Sequence, residues 1–399
     1  MKFLFTVQPL LGHFHALVPL ALALKEHGHE VAFATGRNFG STVQHVGLRH
    51  FPCGLDLGGE PNGIFETLPN WEIVKAKYPS VGAQQVYGFI QALGPRLADD
   101  VIALLKTWRP DVIIRDPLEF GGYIAAEHYG LPHATMTWAI YINPKSLCPE
   151  ALIELRQRYA LPDDPELNTL DRYLVFNFLP PAWKLPLAPF PPVTQRFCAP
   201  PFDASSADRL PEWINTLPDR PTIYATLGTT FNQSPATFQA ILTALSAEDV
   251  NAIITVGHSM DPAQFQPPPA NIHVQQYIPQ TLLLPHCDAI LFHGGYNSLH
   301  SALWHGLPMV LTPLGAGDQY PTALLCEKLG VGVMVKEQPP EPAAIRAAVR
   351  AVLEQPAYRA RAQELQRDLK ALPDLSEAVS HLENLARSHE PQRNDQAID

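Results

Sequence analysis

Short apolar runs alternate with helix-period segments along this chain, twice over, and that alternation restricts the fold to parallel sheets covered by helices. Lys2 to Val7 is the first run, QPLLGHFH follows as a loop, and Ala16 to His27 has helical spacing that stops at Gly28, a C′ glycine. Glu30 to Thr35 is the next strand. Parallel strands joined by a right-handed crossover place the loop after the first strand at the carboxyl edge of the sheet, where such folds bind ligands. Further on, Asp111 to Arg115 reads as a buried strand, Phe120 to His128 as a helix ended by Gly130, and His133 to Trp138 as another strand.

From Leu161 to Pro211 the periodicity fades and prolines crowd in, as in a connection between domains. The alternation then restarts, with strands expected at Thr222 to Leu227, Ala252 to Val256, Ile272 to Gln276, Ala289 to Phe292, Met309 to Thr312 and Gly332 to Val335. The end is helical, from Pro342 through Ala386 with breaks near Pro356 and Pro373, and the tail from Ser388 is polar. The expectation is an α/β protein of two doubly wound domains: residues 1–200, a linker at 201–218, a second domain at 219–370, a helix at 371–388 packing back on the first, and a frayed tail at 389–399.

A formal charge of −11, from 28 Lys+Arg against 39 Asp+Glu, supplies no counterion release for a polyanion, so nucleic acid is not an expected partner. The five cysteines lie far apart with no C-x-x-C pair, which argues against a disulfide framework or zinc site and for a reducing cytoplasm. The apolar run Ala16 to Leu24 is well short of the ~18 residues a membrane span needs, so no integral membrane segment is expected.

Chemistry concentrates between Gln275 and Gln319, where the apolar run AILF leads directly into HGGYNS and then into an apolar helical run. Gly294 and Gly295 allow a tight turn and close approach to a ligand, Asn297 or Ser298 can cap the helix, and the helix N-terminus favours an anion. His293 and Ser298 add side-chain donors.

These residues resemble the donor-binding signature of the family 1 glycosyltransferases, two-Rossmann-domain enzymes of the GT-B fold that move sugars from nucleoside diphosphates to small acceptors. The elements occur in order as Tyr277-Ile-Pro-Gln280, His286, His293-Gly-Gly-Tyr-Asn-Ser298, Gly306-Leu-Pro308, Pro313 and Asp318-Gln319. By that resemblance Tyr277 stacks on the pyrimidine and Ile278 main-chain groups read its edge. His293, Ser298 and the glycine turn hold the diphosphate, joined by Gly228 and Thr229, while Asn297, Asp318 and Gln319 face the sugar; Gln280 belongs to the same donor set.

The resemblance also makes His13 the catalytic base, in a cleft between the two domains. A neutral imidazole can take the proton of an acceptor hydroxyl as that oxygen attacks the anomeric carbon. His15 is the competing candidate, with a loop-orienting role. Asp116, at the carboxyl edge after DVIIR, is the expected carboxylate behind His13; the alternative is a cap on the turn before Pro117. Arg115 should point to the other face. Trp71, Tyr87, Trp138 and Tyr141 are candidates for lining an apolar acceptor site.

Two positions depart from the family pattern. Ala16 stands where the family often has proline, and Ser301 stands where it frequently carries a glutamate that accepts from both ribose hydroxyls. A serine cannot grip a diol in that way, so a deoxyribose donor such as a dTDP-sugar is favoured, with UDP-sugars open; the likeness is strongest to the bacterial natural-product branch. No D-x-D motif is present to hold a metal, and no cofactor beyond the nucleotide-sugar co-substrate is expected. The implied activity is inverting hexosyl transfer to a small-molecule acceptor. A non-catalytic nucleotide-binding or auxiliary protein of the same fold is the alternative, and a nicotinamide-dependent oxidoreductase is disfavoured because no G-x-G-x-x-G opens a helix. A homodimer stays open.

Overall fold

A computed structural model describes residues 1–57, 65–68, 71–140, 143–184, 189–203, 208–228, 232, 234–257, 260–315 and 317–393. They divide into two units. The first comprises Met1–Leu179, Lys184–Ala199 and Leu372–Asp399, the second Pro180–Trp183 and Pro200–Ala371.

The first unit is built on seven parallel strands: β1 (Lys2–Thr6), β2 (Glu30–Thr35), β3 (Arg49–Pro52), β4 (Val112–Arg115), β5 (His133–Met136), β6 (Leu174–Asn177) and β7 (Thr194–Arg196), in the order β3-β2-β1-β4-β5-β6-β7. The second has six: β8 (Thr222–Thr226), β9 (Asn251–Thr255), β10 (Ile272–Gln275), β11 (Ala289–Phe292), β12 (Met309–Leu311) and β13 (Gly332–Met334), in the order β10-β9-β8-β11-β12-β13. Each order runs outward from its first strand in both directions, so the chain reverses between β1 and β4 and again between β8 and β11. Loops leaving those strands diverge and open a crevice at the carboxyl edge, the usual ligand position in open α/β sheets. Thr6 pairs with Arg115 and Thr226 with Phe292, which brings the two loops of each crevice out side by side.

Strands buried on both faces need continuous apolar sequence, and Phe3, Leu4 and Phe5 are all fully buried, as are Ile290, Leu291 and Phe292. Helix Gly94–Leu104 packs on helix Gly121–Tyr129 in the first unit, and helix Pro235–Ser246 on helix Pro342–Glu354 in the second. Helix Leu375–Ser388 lies on helix Leu11–Glu26 of the first unit. Its first turn is capped by Asp374, whose Oδ1 accepts from the N–H groups of Ser376 and Glu377.

Two sequence expectations are corrected. The first helix begins at Leu11, not Ala16, so His13 and His15 sit in its opening turn instead of in a loop; Gly12 weakens the local helical pattern, but Leu10 accepts from the N–H groups of both His13 and Phe14. The proline-crowded stretch also contains two strands of the first sheet, β6 and β7. Segments of four and three residues are too short for a two-residue period to stand out.

Candidate active site

Two clusters of polar side chains occupy the two crevices, one in each unit.

In the first unit, β1 ends seven residues before His13 and β4 ends one residue before Asp116. Nδ1 of His13 lies 2.7 Å from Oδ2 of Asp116, with the imidazole partly exposed and the carboxylate buried. Both atoms are buried and otherwise unpartnered among the described residues, so each is the other's only polar company. The second Asp116 oxygen accepts from the N–H of Leu118, 2.7 Å away, while the Asp116 N–H donates to the Thr6 carbonyl. Turn cap and histidine partner are therefore roles of the same carboxylate. A carboxylate on Nδ1 keeps the proton there and leaves Nε2 as the acceptor.

Residues that no motif singles out hold this arrangement. Arg115 is buried at the end of β4, donates to the main-chain carbonyls of Asp116 and Glu119, and pairs with Asp171 at 3.7 Å. Its ion-pair partner is Asp171 and not the Asp116 carboxylate among the described residues, and it braces the backbone of Asp116. Glu119 is fully buried and accepts from the Thr6 hydroxyl at 2.5 Å and from the Gly122 N–H. Burial pushes its carboxyl up to about 7, against the pull of those bonds and of Arg115. His15 is pushed down to about 4 by burial.

The aromatic candidates separate. Trp138 meets the His13 ring edge-on at 4.5 Å between centroids, and Phe89, which the sequence reading missed, lies at 6.0 Å. Phe89 opens a π-helical stretch, Phe89–Leu93, a departure from regular helix that is frequent at functional sites. Through Phe65 it connects to Trp71, with centroid separations of 5.2 and 6.1 Å. Tyr87 packs instead on Tyr78. Tyr141 lies outside the described residues.

In the second unit, β11 runs into His293-Gly-Gly and helix Tyr296–His305 begins directly after it. Neither Asn297 nor Ser298 caps this helix: Gly295 is the N-cap, with no side-chain cap bond among the described residues. The first turn of this helix carries the positive end of its dipole. His293 is half-buried, with its Nδ1 fully buried and unpartnered among the described residues, and desolvation pushes its pKa down to about 4. Its ring lies over two glycines. A Cβ on Gly228 would come within 2.6 Å of the ring, and one on Gly295 would collide with it. Gly294 has φ +98 and sits against the Gln319 main chain, where a Cβ would meet the carbonyl oxygen at 2.8 Å.

Thus Gly228, His293, Gly294, Gly295 and Gln319 come together, and Ser298 joins Gln280 through a 3.0 Å bond from Nε2 to Oγ. Gln319 is buried and its Oε1 accepts from the Leu314 N–H, fixing the turn before its helix; Asp318 is the N-cap of that helix. Tyr277 is half-buried and Ile278 buried, on the segment that follows β10. Ser301 is buried one turn into helix Tyr296–His305. Thr229 lies outside the described residues. Asn232 was not foreseen: it is fully buried, and its Nδ2 donates to the carbonyls of Gly228 and Val256, tying the ends of the β8 and β9 loops together.

Known proteins match the chain across both units. The family model described as Erythromycin biosynthesis protein CIII-like, N-terminal domain, matches residues 22–228, and its C-terminal counterpart matches residues 239–385. The curated relative 4'-demethylrebeccamycin synthase of Lentzea aerocolonigenes is 29% identical over 94% of this chain and 97% of its own. 3-alpha-mycarosylerythronolide B desosaminyl transferase of Saccharopolyspora erythraea is 26% identical, over 97% and 98%. Among solved structures, glycosyltransferase VinC in complex with DTDP matches with a TM-score of 0.77 at 24% identity, covering 97% of this chain and all of that one, which shows a shared GT-B fold. With family models spanning both units, the chain belongs to the family 1 natural-product glycosyltransferases, in the erythromycin biosynthesis protein CIII-like group.

Proposed function

We propose that this glycosyltransferase moves a sugar from a nucleoside diphosphate to a hydroxyl of a small apolar acceptor by a single inverting displacement, with His13 as the general base. The His13–Asp116 pair carries the reading: a histidine whose Nδ1 is engaged by a buried carboxylate at 2.7 Å has one nitrogen left to accept a proton. As the acceptor oxygen forms its bond to the anomeric carbon, its proton passes to Nε2. The bond from that carbon to the diphosphate breaks, and the nucleotide leaves with the electron pair. Asp116 stabilises the imidazolium that results.

The leaving diphosphate is assigned to the uncapped start of helix Tyr296–His305, with His293 and Ser298 beside it. That assignment uses neutral donors and a helix terminus and calls for no metal. Trp138 and Phe89 against His13 supply apolar walls for the acceptor. Ser301, in place of a diol-gripping carboxylate, favours a deoxyribose donor, and VinC, which shares the fold, was solved with DTDP.

Calorimetric titration with UDP and dTDP, with NAD as control, tests the donor reading. Tighter dTDP binding supports the Ser301 argument, and tighter UDP binding removes it while keeping the transferase. Binding of NAD alone overturns the donor site.

A further inference from the structure

Asp203 lies outside every motif, in the segment after β7, yet it makes the densest set of polar contacts on the expected donor turn. Its Oδ2 accepts from the Gln280 N–H at 2.5 Å; its Oδ1 accepts from the Thr281 N–H at 3.1 Å and from the Thr281 hydroxyl at 2.5 Å. Its main-chain carbonyl accepts from the Tyr277 hydroxyl at 2.8 Å. One residue thereby clamps both ends of Tyr277-Ile-Pro-Gln-Thr281.

The clamp answers a local need. Helix Gln280–Leu283 has only four residues, and Pro279 before it offers no side-chain cap, so its first N–H groups need an outside acceptor. Asp203 supplies one from 77 residues upstream. Between the clamped ends, Ile278 buries its side chain, while its main-chain N–H and C=O have no hydrogen-bond partner among the described residues. Downstream, Gln280 reaches Ser298 through Nε2, and its Oε1 is buried and unpartnered among the described residues. A rigid turn that presents unused main-chain polar groups beside a fixed tyrosine ring is suited to reading the edge and face of a planar heterocycle.

Resting on the donor reading above, we propose that Asp203 is the positioning residue for nucleobase recognition: it sets the Tyr277 ring and the Ile278 main chain at the spacing that a pyrimidine requires. Both carboxylate oxygens face N–H or O–H donors, so the role demands an acceptor on each. An asparagine would turn an NH2 group toward one of those donors. Burial raises the Asp203 pKa, and the three donors pull it part of the way back.

The test is calorimetry on the full chain carrying Asp203→Asn or Asp203→Ala, with dTDP, UDP, ADP and inorganic pyrophosphate as probes. The expected result is a loss of about tenfold or more in affinity for the pyrimidine nucleotides, of the size that one charge-assisted hydrogen bond supports. The preference over ADP should collapse, and pyrophosphate binding should hold. Equal losses for pyrophosphate and nucleotides, or no loss, overturn the proposal. If both Asp203 variants fail to fold, Thr281→Val and Tyr277→Phe each remove one contact and must lower pyrimidine affinity selectively; unchanged selectivity overturns it. A wild-type chain that binds no nucleotide defeats the donor reading, whereas one that binds while Asp203→Asn binds equally well defeats this inference alone.

Discussion

Nδ1 of His13 and Oδ2 of Asp116 are 2.7 Å apart, and neither has another polar partner among the described residues. Losing either side leaves a buried group uncompensated and an imidazole without a defined tautomer. His13→Ala should abolish turnover by about three orders of magnitude or more, within the range general-base removal costs, while nucleotide affinity changes little. Asp116→Asn should retain the fold and lower kcat by a comparable factor. Steady-state kinetics beside nucleotide titration checks both; activity within a few-fold of wild type in His13→Ala would remove His13 as the base.

The glycine turn around His293 predicts steric sensitivity in the second unit. Gly295→Ala drives a methyl into the His293 ring, and Gly294→Ala both meets the Gln319 carbonyl and forces φ +98 on a residue with a Cβ. Strain of that kind costs on the order of 1–3 kcal/mol. Each variant should weaken dTDP and UDP binding at least about tenfold, since about 1.4 kcal/mol is a factor of ten, and should leave the His13–Asp116 pair intact. Nucleotide titration and near-UV circular dichroism read the two effects.

Glu119 predicts a pH dependence of stability whose sign is fixed. Folded, it holds its proton up to about 7; unfolded, it releases it near 4.5. Its contribution is therefore fully present below pH 4.5 and is lost as pH rises through 7, by up to roughly 3 kcal/mol at about 1.4 kcal/mol per unit. Glu119→Gln, which stays neutral, should unfold near the wild-type temperature at pH 4.5 and on the order of 5 °C higher at pH 8. Thermal unfolding at the two pH values checks this, and a parallel pH profile for the two proteins would contradict it.

Donor choice is predicted to turn on position 301. Ser301→Glu places a carboxylate where ribose hydroxyls are expected, and the UDP-to-dTDP affinity ratio should rise by about tenfold, the scale of a charge-assisted bond. Competition between the two nucleotides measures it; an unchanged ratio would detach position 301 from the ribose. EDTA should leave the activity of both proteins intact.

How much of this was legible beforehand depended on the range of the interactions. Strands such as Phe3–Phe5 and Ile290–Phe292 announce themselves because burial on both faces demands uninterrupted apolar sequence. His293-Gly-Gly is equally local, since a strand end, a turn and a helix start lie within a few residues. The expected cap at Asn297 or Ser298 failed because cap preference cannot tell which residue opens the helix, and the open turn at Gly295 is the more useful arrangement for an anion. Glu119, Asn232 and Asp203 were out of reach. Each has at least one partner that only the tertiary fold brings close, as Thr6 is brought to Glu119 across 113 positions of sequence.

The return of the chain after Leu372 constrains how such enzymes can be recombined. Helix Leu375–Ser388 buries Ala378, Val379, Leu382 and Leu385, and Glu383 reaches His29 at 3.0 Å, all within the first unit. A chimera made at one crossover near Pro200, with everything downstream taken from another enzyme, would give the first unit a foreign helix against Leu11–Glu26. A graft that is to replace the second unit alone needs two junctions, the second near Leu372, so that the recipient keeps its own closing helix.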